Sequence, residues 1–362
     1  MWTVRDIDAD AAREAINASD RYDALRDAQR DLDRRFDGSM AYEAIKGAEY
    51  LIRRSSRRAG ARSRRSLGSK SPENDARLDE FNRGKAALKE RIAGLKDELN
   101  RRRRIIAARG LGRMPFETAG VLRRLDRQGW LGGRLHVVGT NALYAYEAAA
   151  GIQIDAGELA TDDIDILNDA RRHVALSGDL PPEGLVGVLR QVDKSFAPMS
   201  PGSFRAVNKT GFLVDLIGPH GYDPTRIAEP AASEARRRAR LSDHPDDLQP
   251  VGIDGMEWLL NAPRFEAVTF DTRGNPVWIP TVDPRVFAAH KLWLSQRPDR
   301  ERTKQRRDHV QAVIAAVLAE AYLGLSFGDS GLSAVPRGLI TGIEGIRPEI
   351  DTAIARLPHG GL

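Results

Sequence analysis

The stretch RLHVVGTNALYAYEAAAG, residues 134–151, is followed by TDDIDIL at 161–167 and FLVDLI at 212–217. Its first six residues predict a strand that ends at a glycine, and the remainder predicts the helix that this strand leads into. TDDIDIL predicts a second strand. FLVDLI is the second half of a hairpin predicted over 204–218, because two β-rich runs flank an Asn-Lys-Thr-Gly turn. This order of elements places the chain in the α+β class.

Three aspartates stand out within these strands. Asp163 and Asp165 are two residues apart, so their side chains project from the same face of the sheet while the isoleucines of DIDIL face the opposite layer. Asp215 interrupts the apolar run FLVDLI. Burying an unpaired carboxylate costs several kcal/mol, so Asp215 needs a partner.

A cluster of carboxylates on neighbouring strands favours a divalent cation. Mg²⁺ takes oxygen ligands, commonly one or two carboxylates together with phosphate oxygens and water. Three carboxylates can hold two such ions about 3.5 to 4 Å apart, the arrangement that drives in-line phosphoryl transfer. Two structural interpretations compete: a solvated acidic strand end or helix-capping cluster at 162–165, and an ion pair between Asp215 and an arginine of the N-terminal part.

Gly139 and Thr140 stand where the first strand ends and its helix begins. Backbone N–H groups and a helix N-terminus at such a point bind phosphate. A glycine at a strand end is common, so this segment alone is a weak signal. The order Gly-Thr, helix, Asp-x-Asp and hairpin with a third Asp is specific. No GxxxxGK[ST] sequence occurs, which disfavours a P-loop NTPase.

Two long helices are expected before this core. Residues 6–36 lack glycine and proline and place their apolar residues on one helical face. A second helix should begin with Ser71 as N-cap and Pro72 in its first turn. Its apolar residues from Leu78 to Leu99 have heptad-like spacing, which fits either an intrachain hairpin or a homodimer. A short helix over 116–128 leads to the core.

An arginine-rich segment separates the two predicted helices. Residues 51–70, LIRRSSRRAGARSRRSLGSK, cannot bury themselves, so we expect a loop or frayed helix end unless an anion orders them. Nucleic-acid backbones bind such segments with salt-sensitive affinity. A nucleoside triphosphate and the acidic half of the same chain are the alternative anions. The candidate contacts to RNA, including tRNA, are Arg53, Arg54, Arg57, Arg58, Arg62, Arg64 and Arg65.

Length and charge divide the chain unevenly. Its 362 residues carry a formal charge of +5, yet residues 1–140 sum to about +11 and the rest to about −6. We expect an Arg-rich helical region over 1–129, a core over 130–220, and a hairpin followed by helices over 221–362. No cysteine occurs, so any metal should be hard and oxygen-bound. No apolar stretch or signal peptide points to a membrane, and a soluble cytoplasmic protein is expected.

The segments VVGTNALYAYE, TDDIDIL and FLVDLI together resemble the nucleotidyltransferase-fold superfamily, which contains DNA polymerase beta and the minor nucleotidyltransferases. More narrowly, the sequence is similar to a bacterial nucleotidyltransferase-like branch with an Arg-rich helical N-terminal region. The core resemblance covers about residues 130–220. It implies a mixed sheet with flanking helices, preceded by a helical hairpin or coiled-coil-like region and followed by a mostly helical region.

The resemblance also implies roles for individual residues. In the superfamily a glycine and a hydroxyl residue contact the nucleotide phosphates, two paired aspartates bind Mg²⁺ or Mn²⁺, and a third aspartate helps bind metal and acts on the attacking hydroxyl. The matching positions are Gly139, Thr140 and Asn141 for the NTP, and Asp163, Asp165 and Asp215 for the metal and catalysis. The usual Gly-Ser-x-Ala-x-Gly pattern is here GTNALY, so the phosphate contact departs from the family.

The segment HKLWLSQRPDRERTKQRRDH, residues 290–309, resembles abortive-infection type nucleotidyltransferase toxins. They carry a lysine on a helix after the catalytic sheet and an aspartate at the end of a basic stretch, where Lys291 and Asp308 lie here. Lys291 would neutralise triphosphate charge as a catalytic and nucleotide-binding residue, and Asp308 would orient it or a substrate hydroxyl. The alternative is a charged amphipathic helix at the surface. Among the histidines, only His290 beside Lys291 merits a test.

Three functions follow from these observations. The first is a Mg²⁺-dependent nucleotidyltransferase that moves a nucleoside monophosphate from an NTP to a hydroxyl of an RNA, such as a tRNA, or of a protein. The second is a catalytically inactive module of the same fold that binds nucleic acid or a partner through the arginine-rich segment. The third is a toxin-like nucleotidyltransferase of a toxin-antitoxin or phage-defence system.

Overall fold

A computed structural model of the chain describes residues 2–55, 63–171, 184–219 and 239–357. Its helices are α1 (Ala9–Arg35), α2 (Pro72–Ala108), α3 (Phe116–Arg127), α4 (Leu143–Ala150), α5 (Ala156–Leu159), α6 (Gly184–Arg190), α7 (Met256–Asn261), α8 (Pro284–Ser295), α9 (Arg302–Val317), α10 (Arg337–Thr341) and α11 (Arg347–Ile354). Its strands are β1 (Val4–Asp6), β2 (Ser39–Ile45), β3 (Ala48–Arg54), β4 (Arg64–Ser69), β5 (Gly112–Met114), β6 (Leu135–Val138), β7 (Ile152–Ile154), β8 (Asp163–Asn168), β9 (Ala197–Pro198), β10 (Arg205–Val207), β11 (Leu213–Gly218), β12 (Val251–Gly252), β13 (Arg264–Asp271) and β14 (Pro276–Val282). The α+β class is confirmed.

The helical hairpin predicted for the N-terminal region is confirmed. Helices α1 and α2 pack in opposite directions, because Arg21 bonds to Glu98 at 2.9 Å while Arg102 bonds to Glu14 at 2.8 Å. The Ser71 hydroxyl caps α2 by accepting from the backbone N–H of the third helical residue at 3.3 Å. The leucine-rich face of α2 packs within the chain, with its central residues in the core around α1. Of the two alternatives predicted for the apolar face from Leu78 to Leu99, the structure shows the intrachain hairpin.

The expectation of a loop or frayed helix end over 51–70 is wrong for residues 51–54 and 64–69, because strands β2, β3 and β4 form an antiparallel sheet there. Leu51 and Ile52, adjacent on β3, are both buried. Glu43 on β2 accepts from Arg54 at 2.8 Å and from Arg64 at 3.0 Å, so a nearby acid offsets part of the charge. The predicted contacts at 57, 58 and 62 lie outside the described residues.

The aromatic contact between Phe36 and Phe81 closes the end of the hairpin, with ring centroids 5.5 Å apart. Gly84 on α2 makes this contact possible. A Cβ at that position would lie 2.4 Å from a carbon of the Phe36 ring, closer than any real side-chain contact. The Arg53 guanidinium stacks on the same cluster, 4.1 Å from the centroid of the Phe81 ring.

The central sheet has the strand order β6-β8-β11-β10-β9, with β12 paired to β11. Strand β8 runs antiparallel to β6 and parallel to β11, and β10 and β11 form the predicted hairpin. The expected mixed sheet is therefore confirmed. Ile164 and Ile166 on β8 are fully buried, as the alternation in DIDIL predicts.

A second sheet, β14-β13-β5, completes the core. Its β13-β14 pair is the second predicted hairpin, and α4 packs on it through Tyr146, whose hydroxyl donates to the Val282 carbonyl at 2.8 Å. Helices α8 and α9 follow as predicted and pack against each other. Strands β1 and β5, within 1–129, pair with β7 and β13, and the three-region division stays a prediction. No helix in the described ranges is both long and apolar enough to cross a membrane.

Candidate active site

Strand register brings two of the predicted aspartates side by side. Asp165 on β8 and Asp215 on β11 are paired positions of parallel strands, so their side chains leave the same face of the sheet. On the other side of Asp215, its antiparallel partner on β10 is Arg205. On the other side of Asp165, the paired position is Val138, directly before Gly139. One row across the sheet therefore carries a glycine turn, two carboxylates and an arginine.

The three predicted aspartates line one cleft of about 550 Å³, which we call the carboxylate cleft. Asp163, one pleat along β8 from Asp165, accepts a hydrogen bond from the Thr161 hydroxyl. Five cationic side chains line the same cleft: Arg205, Lys291, Arg300, Lys304 and Arg307. A cleft lined by both carboxylates and cations suits a ligand that brings both phosphates and a metal.

Asp165 is the carboxylate without a partner. Within the described ranges it has no hydrogen bond and no ion pair, although its side chain is largely shielded from solvent. Burial, followed by repulsion from Asp163 and Asp215, raises the pKa of Asp165 to about 7, and Lys291 and Arg205 oppose this rise. A cation in the cleft would relieve this repulsion.

Asp215 is buried and paired with an arginine, as one sequence alternative anticipated, but the partner comes from its own hairpin and not from the N-terminal part. The Arg205 Nε donates to Asp215 Oδ1 at 2.6 Å, and a second guanidinium nitrogen bonds the other carboxylate oxygen. This fork satisfies both oxygens of Asp215. It also raises the pKa of Arg205 above its ordinary value.

Gly139 fits its position for a steric reason. Its φ is +65°, and a Cβ there would lie 2.1 Å from Asp165 Oδ2, so only glycine lets the strand end approach this carboxylate. Thr140 lines the cleft, and its hydroxyl accepts from Arg307 at 2.9 Å and from the Gln311 amide at 3.2 Å. Both residues lie at the start of the 3-10 segment Gly139–Ala142, which leads into α4.

Asn141 does not line the cleft. Its side-chain amide donates to the backbone carbonyl of Asp163 at 2.8 Å, while its buried Oδ1 has no hydrogen-bond partner among the described residues. The residue therefore ties the glycine turn to the strand that carries the paired aspartates.

Lys291 and Asp308 are buried, which contradicts the alternative of a charged surface helix. The Lys291 ammonium donates to Asp308 Oδ1 at 2.8 Å, and Arg300 bonds the other oxygen of the same carboxylate. Burial lowers the pKa of Lys291, and Asp308 opposes this effect. Lys291 lines the carboxylate cleft and Asp308 does not, so Asp308 orients the Lys291 ammonium from outside the cleft.

His290 faces away from this chemistry. It is buried against Trp258 and Trp293 and does not line the carboxylate cleft, and its Nε2 has no hydrogen-bond partner in the part of the chain that the structure describes. Burial, with a smaller effect of Lys291, lowers the pKa of His290 to about 3. The histidine is therefore neutral at physiological pH.

The sequence interpretation missed four cations that line the cleft: Arg205, Arg300, Lys304 and Arg307. Three of them lie within the basic stretch 300–307, where sequence alone does not show which side chains turn inward. Arg205 had a usable signal. A hairpin centred on Thr210 pairs residues that are equally far from it, which places Arg205 opposite Asp215.

The donor set fits a hard divalent cation. Asp163 and Asp165 are oxygen ligands on one strand face, and Asp165 is unpartnered. In the described ranges, no three or more His, Cys, Asp or Glu side chains are arranged to hold a metal ion. In the carboxylate cleft, Asp215 is hydrogen-bonded to Arg205 and Asp163 to Thr161. Two carboxylates with phosphate oxygens and water complete a Mg²⁺ shell, so the fit does not require Asp215.

A family model described as nucleotidyltransferase matches residues 117–336, more than half of the chain. The chain belongs to this nucleotidyltransferase family. As a member it is a transferase enzyme, and the match contains every residue named above in the carboxylate cleft. No curated protein and no solved structure matches the nucleotidyltransferase chain.

Proposed function

We propose that the chain transfers a nucleoside monophosphate from an NTP to a hydroxyl of an RNA, such as a tRNA, or of a protein, and releases pyrophosphate. One observation carries this proposal: the unpartnered Asp165 lies beside Asp163 and Asp215 in a cleft that Lys291, Lys304 and Arg307 also line. A nucleoside triphosphate with a divalent cation matches the carboxylates and the cations at once.

Asp163 and Asp165 would hold the cation, Mg²⁺ or Mn²⁺. When bound, the cation neutralises phosphate charge and polarises the phosphoryl group that is attacked. Asp215 would take the proton from the acceptor hydroxyl, and Arg205 would have to release one or both oxygens of Asp215 for that step. Arg205 therefore holds the proposed base in an inactive pairing until substrate arrives.

The cations on the helices would receive the triphosphate. Lys304 and Arg307 on α9 and Lys291 on α8 all line the carboxylate cleft. Asp308 fixes Lys291, and Thr140 fixes Arg307, so two of the three cations are oriented before substrate binds. The backbone at Gly139 and the hydroxyl of Thr140 would contact the phosphate nearest the strand end.

The small β2-β3-β4 sheet is the proposed contact for an RNA acceptor. Arg53 pairs with Arg65 and Arg54 with Arg64 in the register of β3 and β4, so each face of this sheet carries one pair of neighbouring arginines. Glu43 neutralises part of this charge. An RNA backbone would provide the remaining counter-charge, and its binding would weaken with salt.

The buried Lys291–Asp308 pair supports a second candidate, a toxin-like transferase that acts on tRNA. The resemblance to abortive-infection toxins rests on these two positions. Such an enzyme would arrest growth when it is produced alone in a bacterial host, and Asp163→Ala would abolish the arrest. Normal growth at a level of protein that shows transfer activity in extracts would contradict this candidate.

Incubation of the purified protein with labelled NTPs, Mg²⁺ and total RNA tests the main proposal. We expect label in RNA or protein, and none with the Asp163→Ala/Asp165→Ala variant. Asp162→Ala is the matched control, because Asp162 is exposed at the rim of the same cleft. An intact fold that transfers no label from any NTP, with Mg²⁺ or Mn²⁺, would overturn the proposal.

A further inference from the structure

A second cleft, also about 550 Å³, lies between α1 and α3 and shares no lining residue with the carboxylate cleft. We call it the arginine cleft, because five arginines line it against two aspartates, Asp33 and Asp126. The five are Arg26, Arg30, Arg123, Arg124 and Arg127. Phe116 and Tyr22 add aromatic surface to its wall. Its volume suits a ligand of about nucleotide size.

Three of these arginines are committed to the fold. Arg26 stacks on Trp278, 3.7 Å from the ring centroid, and its Nε donates to Asp126 at 2.8 Å. Arg30 also approaches Asp126, at 3.4 Å. Arg123 donates to the buried Asp271 at 2.8 Å. These contacts fix the three guanidinium groups, and Asp126 is already paired with Arg26 and Arg30.

Arg124 and Arg127 are different. Neither has an ion pair in the described part of the chain, and the Arg124 Nε is buried without any hydrogen-bond partner. A buried donor without an acceptor is unfavourable, so the fold retains an arginine here against a local cost. Both side chains lie one helical turn apart on the face of α3 that lines the cleft, so they can grip one group from two directions.

We propose that the arginine cleft binds a phosphate group, independently of the carboxylate cleft. The planar donor fork of arginine matches phosphate oxygens, and an excess of cations favours a ligand with more than one negative charge. Arg124 and Arg127 donate to the phosphate, while Arg26 and Arg123 keep the cleft open and positive. The phosphate belongs to a nucleic-acid backbone or to a free nucleotide. Phe116 lines the cleft with the Arg273 guanidinium stacked 3.6 Å from its ring centroid.

Binding to the full-length protein tests this inference, with fluorescence anisotropy of two probes, a labelled single-stranded RNA of twelve nucleotides and a labelled ATP. EDTA is present throughout, so that metal-dependent binding at the carboxylate cleft does not contribute. We expect Arg124→Gln/Arg127→Gln to weaken at least one probe by about tenfold or more. The matched control is Arg91→Gln/Arg104→Gln, which removes the same charge from exposed positions of α2 outside the cleft and should change affinity less than twofold.

The two probes distinguish the sources of the phosphate. Loss of RNA binding alone assigns the cleft to a nucleic-acid backbone, and loss of ATP binding alone assigns it to a nucleotide. Equal loss in the cleft and control variants, or no binding of either probe by the wild type, would overturn the proposal. Because Arg124 is partly buried, melting temperatures are compared first, and the exposed Arg127→Gln alone serves if the double variant does not fold. Failure of nucleotidyl transfer would leave this binding result unaffected.

Discussion

Replacing Asp165 with asparagine should stabilise the protein while it removes the proposed metal ligand. The pKa of Asp165 is raised to about 7 from 3.8, chiefly by burial and by Asp163 and Asp215, against the opposing effect of Lys291 and Arg205. A carboxyl whose folded pKa is raised stabilises the fold only while it is protonated. The stability present near pH 4 is therefore lost as pH rises towards 7, and no further loss follows above that.

The size of this effect follows from the shift. About three pKa units correspond to about 4 kcal/mol at about 1.4 kcal/mol per unit, and local relaxation reduces this to about 2 to 4 kcal/mol. At about 2.1 cal/mol/K per residue, the unfolding entropy of 362 residues is about 760 cal/mol/K, so each kcal/mol moves the melting temperature by about 1.3 °C. Asp165→Asn should therefore raise the melting temperature at pH 8 by roughly 3 to 5 °C, and by far less at pH 4.5.

Thermal unfolding followed by circular dichroism at the two pH values, in EDTA, measures this directly. Asp162→Asn is the control, since it removes an exposed carboxylate from the same cleft and should leave the melting temperature nearly unchanged. Added Mn²⁺ should narrow the gap by stabilising the wild type alone. An Asp165→Asn variant that melts below the wild type at pH 8, or gains equally at both pH values, would refute the reasoning.

Two glycine substitutions make further predictions. Gly139→Ala should lower nucleotidyl transfer by about 100-fold with the fold intact, because the added Cβ would meet Asp165 Oδ2. Gly211 has a similar φ but no atom near the position of an added Cβ, so Gly211→Ala should keep transfer activity within about twofold. Equal losses of activity in the two variants would argue against the contact between residue 139 and Asp165. Gly84→Ala should lower the free energy of unfolding by about 1 to 3 kcal/mol, because the added Cβ would clash with the Phe36 ring. Gly94→Ala on the same helix meets no neighbouring atom and should raise the free energy of unfolding by about 0.5 to 1 kcal/mol. Denaturant unfolding measures both, and a stabilised Gly84→Ala would show that the ring has room.

The order of elements and the shared strand face of Asp163 and Asp165 could be predicted because both follow from short-range rules. Alternation in DIDIL sets which side chains share a face, and the turn at 208–211 fixes the β10-β11 hairpin. The caps at Ser71 and Pro72 locate the start of α2. These signals lie within a few residues of the structure that they specify.

The rest depended on partners distant in sequence. The arginine-rich segment forms strands because β2 supplies a hydrogen-bonding edge and Glu43, and composition alone indicated only that the segment is polar. Burial of Lys291 depends on Asp308, a helix away. Arg307 reaches Thr140 from far along the chain, and periodicity does not reveal such a contact.

The central claim is that the carboxylate cleft transfers a nucleotidyl group. Parallel reactions with NTPs labelled at the α-phosphate or at the γ-phosphate, in Mg²⁺ and total RNA, test it most directly. The account predicts that α-label enters the acceptor, that γ-label leaves as pyrophosphate, and that Asp163→Ala/Asp165→Ala abolishes both. Transfer of γ-label to the acceptor, or α-label transfer that survives in this variant, would contradict it.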